Sequence, residues 1–97
     1  MLTNNPHIYL ISDSTGETVS IIARSVYARF EKIKFTESKW ALIRTKRQID
    51  NIFKVIENKP GLVLYTMINQ ELEKYLHEKC SEIKIVAHPV LDKTIKI

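Results

Sequence analysis

The sequence is poor in features that would each point to a particular class of protein. Its single cysteine, Cys80, excludes a disulfide within the chain and therefore a small disulfide-stapled fold. Its apolar runs stop after four or five residues, whereas a membrane-spanning helix needs about 20. The start, MLTNNPH, lacks the basic and apolar regions of a secretory signal. We therefore expect a soluble, cytoplasmic protein with no membrane partner.

The composition and charge are those of a small globular domain. The 97 residues are 44% apolar and 27% charged, which is far from the composition of a disordered chain. The segment 24–47 carries a net charge of +6, and the rest of the chain carries −2. These cations indicate a solvated basic surface or attraction for an anion in the first half of the chain. They are not interleaved with aromatic residues and no DNA-binding motif spacing occurs, so we predict no nucleic-acid partner.

Apolar periodicity along the chain predicts alternating strands and helices. Continuous apolar runs predict strands at 8–11, 40–43, 62–65 and 83–87. Helical stripes predict the three helices between them, with the core residues Val19, Ile22, Ala23, Val26 and Phe30, then Ile49, Ile52, Phe53 and Ile56, then Leu72, Tyr75, Leu76 and Cys80. Thr45 and Gln48 have capping-box spacing, Asn69 can cap the third helix, and residues 58–61 (NKPG) end the second. The order βαβαβαβ predicts an α/β fold: a three-layer Rossmann-like half domain, with a four-stranded parallel sheet and helices on both faces.

The first predicted strand runs directly into a polar segment, SDSTGET. Ser14 and Glu17 have the spacing of a capping box, but a cap alone does not require so many hydroxyl groups. The first amides of a helix also attract phosphate or carboxylate, and Gly16 lets a ligand approach the backbone. Asp13 would repel an anion unless it binds a sugar hydroxyl, a metal ion or a transferring proton. We predict a site for a phosphate-type anion at Ser12, Asp13, Ser14, Thr15, Gly16, Glu17 and Thr18, at the carboxyl end of the strand, where ligands bind in such sheets.

Two further residues are candidates for the same edge of the sheet. Arg44 follows the second predicted strand and Thr66 follows the third, although Arg44 is equally suited to a surface role and Thr66 to a turn. For metal, only His77, Cys80 and His88 are candidates, whereas a structural zinc site needs about four ligands. We therefore predict no metal site, a buried Cys80 and exposed histidines.

Two stretches resemble the regulatory proteins of pyruvate, phosphate dikinase and phosphoenolpyruvate synthetase. They are IYLISDSTGETVSIIARSV and LVLYTMINQELEKYLHEKC. Members of that family begin with a strand, an S-D-S/G-T-G-E-T-like loop and an amphipathic helix, and the loop is matched here at residues 12–18. They later carry a strand that ends in an aromatic residue and Thr or Ser before a helix, matched by Tyr65, Thr66, Glu71 and Leu72.

The resemblance implies a bifunctional serine/threonine kinase and phosphorylase. Such proteins use ADP to phosphorylate a threonine of the dikinase or synthetase. They use inorganic phosphate to remove the phosphoryl group from that threonine, with release of pyrophosphate. Their nucleotide loop, led by glycine and carrying Lys-Ser/Thr, lies later in a longer chain. Here the glycines are Gly16 and Gly61, and Lys93-Thr94 has no glycine at the required distance upstream.

The missing loop limits what can be assigned to this chain. We expect residues 1–97 to form one α/β domain, an N-terminal fragment that has no catalytic residue or cofactor of its own and is inactive as a kinase alone. ADP and phosphate are implied only for the full-length family. The target enzyme, dikinase or synthetase, and the formation of a homodimer are left open.

Two other classes share part of the pattern. The phosphate-binding turn of phosphosugar-binding isomerase domains reads S-x-S-G-x-T, but Thr15 is inserted here between Ser14 and Gly16. A flavodoxin-like or receiver-type interaction module has the same alternation of elements. This chain lacks the acidic cluster that a receiver needs.

Overall fold

A parallel sheet forms the centre of the computed structural model, which describes residues 6–30 and 32–90. Its strands are β1 (His7–Ser12), β2 (Thr36–Trp40), β3 (Leu62–Thr66) and β4 (Ala87–Pro89). The helices between them are α1 (Glu17–Tyr27), α2 (Lys46–Asn58) and α3 (Gln70–Glu82). The strand order is β2-β1-β3-β4, and every neighbouring pair is parallel. Within the described residues, no helix has the length and apolarity to cross a bilayer.

The helices cover both faces of the sheet. On one face, Val19 and Ala23 of α1 pack with Ile8, Leu10 and Leu64 of the strands. On the other face, residues of α2 and α3 pack with the remaining strand side chains: Ile49, Ile52, Phe53, Ile56, Leu72, Leu76 and Cys80 with Tyr9, Ile11, Val63 and Tyr65. β1 is buried on both faces, as its uninterrupted apolar run predicted. The predicted three-layer Rossmann-like arrangement is confirmed.

Local sequence signals mark the ends of α2 and α3 as predicted. The Thr45 hydroxyl accepts from the Gln48 amide at 3.2 Å and the Gln48 side chain accepts from the Thr45 amide at 3.0 Å, which is the predicted capping box. Asn69 caps α3 by accepting from the Leu72 amide at 3.0 Å. After α2 ends, a Cβ on Gly61 would overlap the carbonyl oxygen of His7, so only glycine lets β3 start this close to β1.

The predicted position of the second strand is wrong. The structure places β2 at Thr36–Trp40, in register with residues 7–11 of β1, and not at 40–43. As an edge strand it is largely exposed, so it needs no apolar run. The apolar residues of the predicted run have other contacts: Trp40, the last residue of β2, stacks on Tyr9 with ring centroids 5.8 Å apart, and Ile43 enters the core.

Two other boundaries also differ from the prediction. The apolar run 83–87 precedes most of β4 (Ala87–Pro89), because Ile83 and Ile85 pack on the core where α3 ends. Helix α1 ends at Tyr27, so Phe30 lies outside it and half-exposed, edge-on to Phe35. Apolar residues after α3 were therefore mistaken for a strand. An apolar residue after α1 was mistaken for part of its helical stripe.

Candidate functional site

The carboxyl ends of β1 and β3 meet at the point where the strand order reverses. The chain leaves β1 toward one edge of the sheet, through α1 and β2, and later reaches β3 on the opposite side of β1. Ligands of open α/β sheets bind in the crevice at such a point. SDSTGET lies there after β1, and residues 67–69 lie there after β3.

Ser12 joins the two strand ends through a buried hydroxyl. Its oxygen accepts from the Thr66 hydroxyl at 2.8 Å and from the Ser14 amide at 3.0 Å. Because these two bonds use both lone pairs, its own proton is left for the Ser14 hydroxyl, 3.1 Å away. Thus Thr66 reaches the predicted site, and the hydroxyls of Ser12 and Thr66 are paired inside the protein.

Asp13 connects the first loop to the start of α3. Its carboxylate Oδ2 accepts from the amides of Ile68 and Asn69, each at 2.9 Å. These two contacts are charge-assisted hydrogen bonds to the backbone. The interaction makes an acidic residue compatible with the predicted anion site, because the carboxylate of Asp13 has partners of opposite polarity within the fold.

The start of α1 differs from the predicted capping box. Gly16 is the N-cap, with the left-handed φ of 84°, and no side chain caps this helix. Ser14 is instead held by Ser12, and its carbonyl accepts from the Leu42 amide at 2.8 Å. The Ser14–Glu17 box is therefore wrong, because a turn through Gly16 moves the start of the helix beyond the reach of Ser14. Thr15, Glu17 and Thr18 are exposed around this start.

Two cations lie at the same edge. Arg44 Nη1 donates to the carbonyl oxygens of Asp13 and Ile43, which confirms that Arg44 reaches the loop. Lys39 lies against the start of α1, since a Cβ on Gly16 would be 2.7 Å from its Cε and 3.4 Å from its Nζ. Lys39 was not among the predicted site residues, because the second strand was predicted to begin after it, at residue 40. A second strand predicted to end at Trp40 would have placed Lys39 at the carboxyl edge of the sheet.

A cavity of about 420 Å³ lies between the β1 loop and the start of α3. It is lined by Asp13, Ser14, Ile43, Arg44, Ile68, Asn69 and Leu72. The nine predicted site residues thus lie on loops and element ends around one edge of the sheet. They provide exposed hydroxyl groups, helix-start amides and the cation Arg44, and together with Lys39, which was not predicted, they can bind an anion and orient it.

The candidate metal ligands do not converge. Cys80 is buried in the core, where burial raises the pKa of its thiol to about 11. His77 is exposed, with Nε2 2.6 Å from the Tyr65 hydroxyl, which also donates to Glu73 at 2.6 Å. The pKa of Tyr65 is raised mainly by burial and secondly by this hydrogen bond to Glu73. Across residues 6–30 and 32–90, no three His, Cys, Asp or Glu side chains are grouped to hold a metal ion.

The chain is similar to named bacterial proteins over most of its length. Proteins named pyruvate, phosphate dikinase regulatory protein match it at 34% identity in Rhodopseudomonas palustris (strain BisA53), 36% in Erythrobacter litoralis and 40% in Rhodopseudomonas palustris (strain HaA2). These matches cover 94%, 90% and 86% of this chain but 33%, 31% and 30% of the relatives. The chain therefore spans about a third of the length of the curated relatives it matches.

The family described as kinase/pyrophosphorylase matches residues 8–97. The match begins within β1 and includes SDSTGET and the strand and helix that carry the second motif. It confirms the resemblance that these two motifs indicated. The chain therefore belongs to the kinase/pyrophosphorylase family.

Proposed function

We propose that this chain is part of a regulatory protein of pyruvate, phosphate dikinase or phosphoenolpyruvate synthetase. The observation that carries the proposal is the family match over residues 8–97, together with the names of the relatives. The family membership favours this function over a phosphosugar-binding domain and over a flavodoxin-like interaction module.

In the proposed reaction, the whole protein transfers the terminal phosphoryl group of ADP to the hydroxyl of a threonine of the target enzyme, and AMP is released. In the reverse regulation, inorganic phosphate removes that group and pyrophosphate is released. The two glycines of this chain lie at the start of α1 and before β3. Neither belongs to a glycine-led Lys-Ser/Thr loop, so the part proposed for this chain is to bind and orient, and not to hold the nucleotide.

The group bound at the carboxyl edge is, in this proposal, a phosphate-type anion. The amides at the start of α1 and the positive end of its dipole favour negative charge. The Lys39 ammonium beside Gly16 and the Arg44 guanidinium over the loop add charge of the right sign. The exposed hydroxyls of Ser14, Thr15 and Thr18 add hydrogen-bond donors.

A binding measurement tests the choice of partner. The 97-residue chain is immobilised and titrated separately with purified dikinase and purified synthetase by biolayer interferometry. We expect saturable binding of one of the two enzymes. Absence of binding to both would overturn the proposed partner. A melting temperature raised by sugar phosphates would point instead to the phosphosugar-binding class, since a ligand that binds only the native state stabilises it.

A further inference from the structure

Two exposed aliphatic side chains flank the SDSTGET loop. Leu42 is 54% exposed and follows β2, on one side of β1. Ile68 is 80% exposed and follows β3, on the other side. Single exposed aliphatic residues are common on protein surfaces, but these two stand on opposite sides of one candidate site.

Hydrogen bonds to consecutive residues of the loop fix the backbone of both residues. The Leu42 amide donates to the carbonyl oxygen of Ser14 at 2.8 Å. The Ile68 amide donates to the carboxylate of Asp13 at 2.9 Å. The loop predicted to bind an anion therefore also positions an aliphatic side chain on each side of itself.

Local backbone preference does not account for Leu42. Its φ of 57° is in the left-handed region, where glycine and asparagine are favoured and leucine is uncommon. Its side chain also gains little from burial, because more than half of it is exposed. The side chain of a leucine at this position therefore does little to offset the backbone cost in the free chain, as expected of a side chain that contacts a partner.

Two cations lie near the loop between the two aliphatic residues. Arg44 lines the cavity there, and Lys39 lies beside Gly16. The carboxylate of Asp13 already accepts two backbone amides. An occupant that complements this surface carries negative charge at its centre and apolar groups on both sides.

We propose that this edge docks a polypeptide segment of the protein partner in which an acidic or phosphorylated residue lies between apolar side chains. Leu42 and Ile68 contact the apolar side chains, and Arg44 contacts the anionic group. An inorganic anion or a sugar phosphate alone would leave both aliphatic residues without contacts. The inference rests on the proposed function, in which the partner is the dikinase or the synthetase.

Variants that remove the aliphatic side chains and keep both backbone amides test the docking surface. Leu42→Gly also removes the cost of the positive φ, and Ile68→Ala changes a largely exposed position, so both variants are expected to fold. Val55→Ala is the matched control, because Val55 is 45% exposed and lies in the half of α2 that ends beside the amino edge of the sheet. Circular dichroism and thermal melting check that each variant is folded before the target enzyme is titrated.

We expect the double variant Leu42→Gly/Ile68→Ala to bind the enzyme at least about tenfold more weakly, and Val55→Ala to bind within about twofold of the parent. Raising the salt concentration from about 0.05 M to about 0.5 M is expected to weaken binding of the parent. The parent chain and Arg44→Gln are each titrated with the phosphorylated and the unphosphorylated enzyme. If one form binds the parent more strongly and Arg44→Gln removes this difference, that form carries the anionic group that Arg44 contacts.

The outcomes separate the docking surface from the choice of partner. If the parent chain binds neither enzyme, the proposed partner is wrong and the docked segment with it. If the parent binds and the double variant binds equally well, the docking surface is wrong while the partner stands. Self-association of the parent that is lost in the double variant would overturn the proposal in favour of a second copy at this edge.

Discussion

At the scale of single residues, the hydroxyl groups of SDSTGET divide into two sets. Ser12 is buried and bonds to Thr66 and Ser14, so it holds the ends of β1 and β3 together. Thr15 and Thr18 are exposed at the start of α1. Neighbouring residues of similar chemistry thus have different environments, because the strand ends at Ser12 and the backbone turns at Gly16.

The exposed set and its cations lead to a prediction about phosphate. We expect inorganic phosphate to bind in the millimolar range, since one helix start with a few donors provides about 4 kcal/mol. Amide chemical shifts followed during a phosphate titration should change most in residues 12–18. Lys39→Met removes the ammonium beside Gly16 and keeps the aliphatic stem, so it should weaken binding about three- to tenfold.

Lys34→Met is the control for this titration, because Lys34 is exposed and precedes β2 at the opposite edge of the sheet. It should leave the affinity unchanged. Equal effects of the two lysine variants would indicate a non-specific attraction of phosphate to the net positive charge. If the largest chemical-shift changes lie outside residues 12–18, the anion binds elsewhere.

At the scale of elements, α2 shows how far local sequence signals reach. Its capping box, its apolar stripe and its termination at Asn58 agree with the sequence prediction, because each depends on residues within a turn or two of one another. The strands β2 and β4 lie at the edges of the sheet, and their positions did not follow from apolar runs. Edge strands are solvated on one side, so their sequence need not be apolar.

The stripe of α2 predicts a large difference between adjacent substitutions. Phe53 is 2% exposed and packs in the larger core cluster, whereas Lys54 is exposed. Phe53→Ala should lower the free energy of unfolding by about 3 to 5 kcal/mol, and Lys54→Ala by less than about 1 kcal/mol. Urea denaturation followed by circular dichroism measures both. Similar denaturation midpoints for the two variants would contradict the observed packing of α2.

At the scale of the whole molecule, the strand order produces the candidate site. Residues after β1, β2 and β3 are separated by some 30 residues along the chain, and the order β2-β1-β3 brings them to one edge. One residue, Asp13, contacts both neighbouring loops. It bonds to Arg44 after β2 and to the amides of residues 68 and 69 after β3. The site is a property of the sheet and not of any one motif.

The positions of the two glycines in the whole chain predict an absence of kinase activity. The 97-residue chain incubated with ADP and the phosphohistidine form of the dikinase should not phosphorylate a threonine above a control without the chain, because neither glycine lies in a phosphate loop. Mass spectrometry of the dikinase measures this. Threonine phosphorylation that depends on the chain would show that another part of it holds the nucleotide.

The sequence by itself determined the alternation of strands and helices, the caps of α2 and α3, the buried Cys80 and the family, since each of these is written in short-range patterns or in a motif. The register of β2, the start of α1 at Gly16 and the pairing of Asp13 with the amides of Ile68 and Asn69 were decided only by the tertiary structure. Each depends on contacts between residues far apart in the chain, where the free energy of packing and hydrogen bonding outweighs local preference. Lys39, Leu42 and Ile68 belong to this second group: no local pattern distinguishes them from other surface residues, and only the strand order places them around one loop.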